Sequence, residues 1–371
     1  MKTAFLLIQI LVVIFFQACA AKEADVVEPT IVFPSHPEEP KILYLATYRG
    51  GATEDKSSAL DLFLGETKAT KKVSNIVKPY GVGLQDGKVY AVDTGTDMLF
   101  VMDENSRDLK LIGNGAVGKL AGPIGLAFDK DKNIFISDSK EKRINAYDTN
   151  GTLKFVIGDR LDFTNPTGIA IDKKLHRLYV TDTKSHQLKA YDIATKKHLY
   201  TVGKRGTEDA EFNYPTNVAV DQRNGDIVVV DTQNFRVQIF DKDGKFITKF
   251  GNVGNKPGTF ARPKGVGIDS EGNIYVADSA FNNIQIFSQY GKDLLMFFGG
   301  GGFGPAQFRL ITGIYIDEDD KMVVADGFSG RVQTFQYISQ KWKQKNPQKY
   351  NELKNTKTET IPQSIIVEEK K

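Results

Sequence analysis

Apolar and polar positions alternate in short runs along most of the chain, and the runs come in sets. Residues 260–287, FARPKGVGIDSEGNIYVADSAFNNIQIF, give the clearest set. A loop ending in Pro-x-Gly leads into a strand with Val266 and Ile268 on one side and Gly267 on the other. Asp269-Ser270-Glu271-Gly272-Asn273 is a turn cluster, because Asp and Asn bond their own backbone and Gly accepts positive φ. Residues 274–277 form a second strand ended by Asp278, and residues 284–287 a third. A sheet of this kind cannot bury both faces alone, so neighbouring units must cover it.

The unit recurs. Aligning on the Asp that ends the second strand gives Asp93, Asp138, Asp182, Asp231, Asp278 and Asp326, separated by 45, 44, 49, 47 and 48 residues. Nine residues beyond each stands a large side chain: Met102, Tyr147, Tyr191, Phe240, Phe287 and Phe335. Short strands at this period predict an all-β, six-bladed β-propeller. The first strands, GVGLQ, GLAFD, GIAID, NVAVD, GVGID and GIYID, carry a bulky pair on one side and Gly or Ala on the other, with Tyr315 the exception. A large face against a small face lets twisted sheets stack around an axis. The sixth unit lacks a fourth strand, and residues 41–48, KILYLATY, are expected to supply it and close the ring. The propeller then spans 41–338. Residues 57–65 read as a helical turn, and 339–371 as a polar, Lys-rich, solvated tail with a short helix near 342–353.

Composition narrows the class. Among 371 residues, 40% are hydrophobic and 11% aromatic, enough for a substantial core, and a net charge of +3 argues against a dedicated nucleic-acid binder. One cysteine excludes an intramolecular disulfide and a Cys-rich zinc site. Its position matters. Lys2 precedes an apolar run over 4–16, followed by Gln17-Ala18-Cys19-Ala20-Ala21, which reads as an export signal over 1–19, too short to span a bilayer. Phe16-Gln17-Ala18-Cys19 resembles a lipobox with Cys19 as the lipidated residue, while Ala18-Cys19-Ala20 fits ordinary release. The expected location is therefore the cell envelope (outer membrane or periplasm) through a lipid anchor, with a secreted soluble form as the alternative. Residues 20–40, rich in Glu and Pro, read as an extended tether.

The pattern P-x-G-hydrophobic, GNIYVAD, N-x-x-Q-hydrophobic-F and a closing Phe-Gly, clearest in 211–251 and 260–299, resembles NHL repeats. The whole of 41–338 is similar to bacterial secreted six-bladed NHL propellers. The resemblance implies a recognition scaffold in an envelope setting, with relatives frequently encoded beside multihaem cytochromes.

Chemistry is sparse. The six strand-ending Asp residues read as turn formers rather than catalytic carboxylates. His36 falls in the tether, and His176, His186 and His198 fall in three different parts of one unit, so no imidazole cluster for zinc is expected. The channel-mouth positions Tyr80, Ile124, Thr167, Thr216, Lys264 and Thr312 offer little to a hard cation. No catalytic residue, metal site or cofactor is assigned. Loops entering the first strands and loops between second and third strands share one face, which carries Tyr80, Tyr214, Phe235, Arg236, Arg262, Lys264, Phe281 and Arg309. Aromatics mixed with Arg are what interaction hot spots favour. The expectation is a monomeric, non-enzymatic scaffold that binds a protein or other envelope partner there and no nucleic acid. The alternative is a metal-dependent hydrolase or lyase acting at the channel mouth.

Overall fold

Six antiparallel sheets stand around a central axis in the computed structural model, which describes residues 30–35, 37–53 and 72–355. Blades 1 to 5 each run inner strand to outer strand in chain order. Blade 5, for example, pairs Pro263–Ile268, Ile274–Asp278, Asn283–Phe287 and Leu294–Gly299 in turn. Blade 6 contributes three strands, Ile311–Ile316, Lys321–Asp326 and Arg331–Tyr337. Its fourth is Ile42–Tyr48, paired antiparallel with Arg331–Tyr337, so the ring closes as the sequence predicts.

The glycines of the inner strands show how tightly the blades meet. A Cβ on Gly125 would lie 2.3 Å from the Thr167 carbonyl oxygen of the next blade. One on Gly313 would lie 2.2 Å from that of Tyr80, across the join between blades 6 and 1. Alternating bulky residues then fill the space between sheets. Tyr315, the exception to the small-face rule, reaches Phe128 at 6.0 Å between ring centres, over the small Gly83, where Phe128 also packs.

Threonines lace the inner strands together at one end. Thr167 Oγ1 donates to the Thr216 carbonyl at 3.1 Å, Thr232 Oγ1 to Pro263 at 2.9 Å and Thr312 Oγ1 to Pro79 at 2.8 Å.

Both flanks of the ring differ from the sequence expectation. Val32–Phe33 adds a fifth strand to blade 6, so the segment read as a tether is part of the sheet at its end. The described part of the tail, residues 339–355, docks instead of standing in solvent. Helices α1 (Gln340–Lys345) and α2 (Pro347–Asn355) bury Ile338 and Leu353 against Val32 and Leu43. Ser339 caps α1 by accepting from the Trp342 N–H. Lys343 and Tyr350 both hold Glu39, whose carboxyl is lowered to about 2, first by the Lys343 hydrogen bond. An apolar contact and an ion pair, neither legible from local periodicity, explain the docking. Cys19, His36 and the turn expected over 57–65 lie outside the described residues. A hairpin of Gly50–Thr53 and Lys72–Asn75 was not foreseen.

Candidate functional site

Antiparallel order puts the loop into each inner strand and the loop between second and third strands at one end of the ring, here the loop end. The six ladder Asp residues organise it. Each is the last residue of its strand and is fully buried. Asp93 accepts from the N–H groups of Val77 and Lys78 at 2.6 and 2.7 Å, and from those of Gly95 and Thr96 at 2.8 Å. Asp278 does the same for Ala261, Arg262, Ala280 and Phe281. Each of these two carboxylates therefore staples two loops, which extends the turn-forming role read from the sequence.

Arg236 stands corrected. It is buried, its Nε donating to Asp231 at 2.9 Å and its terminal nitrogens to the carbonyls of Thr207, Glu208 and Glu211. Four acceptors and burial take up four of its five donors, so it offers a partner almost nothing. Burial raises the Asp231 carboxyl although these bonds oppose it. Arg331 repeats the arrangement in blade 6, bonding Asp326 and the carbonyls of Phe303 and Gln307.

The other seven predicted residues divide. Tyr214 is exposed and packs on His186, with ring centres 4.5 Å apart. Phe235 and Phe281 are half-buried, and Phe235, at φ 54°, packs into the cluster between blades 4 and 5. Tyr80 is half-buried against the central chamber, its hydroxyl pushed up to about 12 by burial. Arg262 is exposed. Lys264 is half-buried, its ammonium lowered by burial first and by Arg262 second. Arg309 is exposed between two aromatic rings, 4.9 Å from the centre of Phe303 and 5.3 Å from that of Phe328.

What sequence reasoning missed is a ring of exposed apolar side chains. Val77, Val117, Leu161, Tyr214, Val253 and Phe303 each sit on the segment entering a different blade, between 41% and 96% exposed. Phe328 joins them from the blade 6 loop. The other exposed large apolar residues among those described, Leu45, Leu175, Leu199, Ile247 and Leu295, lie on outer strands or on a turn at the opposite end. One signal was available: two residues beyond the ladder Asp stand Gly95, Lys140, Lys184, Gln233, Ala280 and then Phe328.

The opposite, turn end is short and charged. Asp269 there accepts from the N–H groups of Glu271 and Asn273, from the Asn273 amide and from the Tyr275 hydroxyl at 3.0 Å. Burial, with Asp320 as a smaller cause, pushes its carboxyl up to about 6. Among the described histidines, His186 accepts from the Tyr214 N–H, while His198 bonds Thr201. Among the described residues no group of three or more His, Cys, Asp or Glu side chains gathers to hold a metal. No helix among them is long and apolar enough to cross a membrane.

Comparison with known proteins agrees with this geometry. Residues 205–294 match a six-bladed β-propeller family and residues 163–191 match the NHL repeat. Human NHL repeat-containing protein 2 is 29% identical over 160 residues, 39% of this chain and 20% of that protein. The Drosophila melanogaster protein brain tumor is 27% identical over 136 residues, 36% of this chain and 12% of that protein. The chain thus matches a fifth or less of these relatives. Among solved structures, a streptogramin B lyase superposes with a TM-score of 0.54 at 13% identity, covering 70% of this chain and 93% of the lyase. A Bacteroides thetaiotaomicron protein of unknown function gives 0.54 at 13% identity, covering 78% and 76%. Identities this low speak to fold alone.

Proposed function

We propose that this NHL-type six-bladed propeller is a non-enzymatic binding scaffold whose loop end holds a protein partner. The observation that carries the reading is the ring of exposed apolar residues, one for each blade, thickest where Arg309 lies between Phe303 and Phe328. Scattered apolar residues on a surface need no explanation, whereas their concentration at one end does. A guanidinium in contact with two aromatic rings is pre-ordered, so little side-chain entropy is lost on contact. The competing reading, a metal-dependent hydrolase or lyase at the channel mouth, is favoured by fold likeness only. The export signal over 1–19 would place the partner in the cell envelope, with Cys19 as the anchor and a cytochrome-containing system as the setting.

The test is cross-linking and co-purification from the native host. Joint replacement of Phe303, Arg309 and Phe328 by Ala should remove a stoichiometric partner that outer-strand replacements of Leu199, Ile247 and Leu295 retain. Equal recovery in both would show that the loop end is not the binding face. For the anchor, Cys19→Ser should move the protein from the membrane to the soluble fraction, and an unchanged membrane-bound product would refute lipidation.

A further inference from the structure

The ring encloses a chamber of about 390 Å³ on its axis. Its walls are inner-strand atoms such as Val218, Val266 and Ile314, with Ala170 and Ala219 partly open to it. Its charged lining lies at the turn end, where Lys173 Nζ meets Glu318 Oε1 at 2.7 Å. Blades 3 and 6 are three places apart in a ring of six. This ion pair therefore crosses the mouth of the chamber instead of joining neighbours.

The charges around it are engaged elsewhere. Arg223 is paired with Asp221 at 2.7 Å, and Asp317 accepts from the Asp319 and Lys321 N–H groups at 2.9 Å. Asp269 is held as described, and Lys174 Nζ donates to the Arg223 carbonyl at 3.2 Å. Among the described residues the Lys173 ammonium and the Glu318 carboxylate bond only each other, while Lys341 Nζ donates to the Glu318 carbonyl. They are also unequal: the Lys173 side chain is 31% exposed and that of Glu318 is 74%.

We propose that the chamber binds a small molecule with an apolar body and a single anionic head, the head replacing Glu318 on the Lys173 ammonium. Released Glu318 returns to water at little cost, and the less exposed Lys173 ammonium takes the ligand's anionic head in its place. An ion pair this exposed contributes little, so the ligand opens it readily. The apolar walls supply the affinity, and the volume lies within the range of small-molecule sites. This site is at the opposite end from the proposed partner face and stands independently of it.

Titration calorimetry on the full chain tests it with three probes below their aggregation thresholds: decanoate, decanol and decyltrimethylammonium. Decanoate should bind at one per chain, with decanol weaker and the ammonium absent. Lys173→Gln should weaken decanoate at least tenfold. Glu318→Gln should tighten it several-fold by removing the internal competitor. Ala219→Phe should fill the chamber and abolish binding; if that variant does not melt cooperatively, Ala170→Leu replaces it. Three results overturn the proposal: no decanoate binding, equal affinity in Lys173→Gln, or preference for the ammonium probe. Binding that survives the filling variant is surface adsorption and overturns it as well.

Discussion

The two ends of the ring solve the same problem, connecting antiparallel strands, in opposite ways. At the turn end the connections are a few residues long, and the Asp that opens a turn bonds N–H groups just ahead of it, two and four positions on for Asp129 and Asp241. At the loop end the segments entering the inner strands are long, and the ladder Asp reaches back fifteen to eighteen residues to hold them. Local bonds make a surface that is charged and self-sufficient. Long-range staples instead hold an irregular backbone rigid while leaving its apolar side chains outside. The difference teaches where a repeat fold can vary: on loops whose backbone is fixed from beneath.

Removing the closure should erase the contrast altogether. Deletion of 41–48 takes away the outer strand of blade 6 and exposes the Arg331–Tyr337 edge. Both ends should then be lost together, seen as disappearance of a cooperative thermal transition; a retained single transition would mean the ring tolerates an open blade.

Asp231→Ala comes next. It strips the loops of blade 4 of an anchor and leaves the Arg236 guanidinium buried without a carboxylate, at a cost of about 3–5 kcal/mol in denaturant unfolding. Asp241→Ala at the turn end removes only exposed turn bonds and should cost about 1 kcal/mol. Equal losses would contradict the distinction between staple and turn.

Asp269 sharpens the comparison with pH. Its folded carboxyl sits at about 6, above the free value of about 3.9, so the folded state binds the proton more tightly. That stabilisation is complete below pH ~4 and fades as pH rises through 6. Two units correspond to about 3 kcal/mol across this window. Unfolding of Asp269→Asn at pH 4 and pH 7 should show the difference flattened relative to the parent chain.

The smallest effect on stability is expected at the loop surface. Phe303→Ala and Phe328→Ala should change unfolding by less than about 0.5 kcal/mol. A loss above 2 kcal/mol would make these rings part of the core and remove them from any binding face.

The architecture could be read from the sequence because it repeats. Six Asp residues and the bulky residue nine positions on, from Met102 to Phe335, fixed the blades, and the unfinished sixth unit pointed to its missing strand. The site was read less well, for physical reasons. Arg236 has the sequence context of an exposed strand-start cation, and only the fold of the 207–211 loop over it supplies the carbonyls that bury it. Val117, Leu161 and Val253 are single apolar residues in aperiodic loops, where no local pattern separates a solvent-facing side chain from an inward one. The chamber depends on a distance between blades 3 and 6, which closure sets and no short stretch encodes. Docking of Ile338 and Leu353 likewise joins chain ends three hundred residues apart.

The pairing of Ile42–Tyr48 with Arg331–Tyr337 also imposes an order in time. The Thr334 hydroxyl donates to the Ala46 carbonyl across 288 residues of sequence. During synthesis the first partner emerges early and the second almost last, so five blades can assemble while the N-terminal strand waits unpaired. Loop closure over this span is among the slowest kinds of contact to form. Until the two strands meet, the Arg331–Tyr337 edge stays open, an edge that neighbouring chains can occupy.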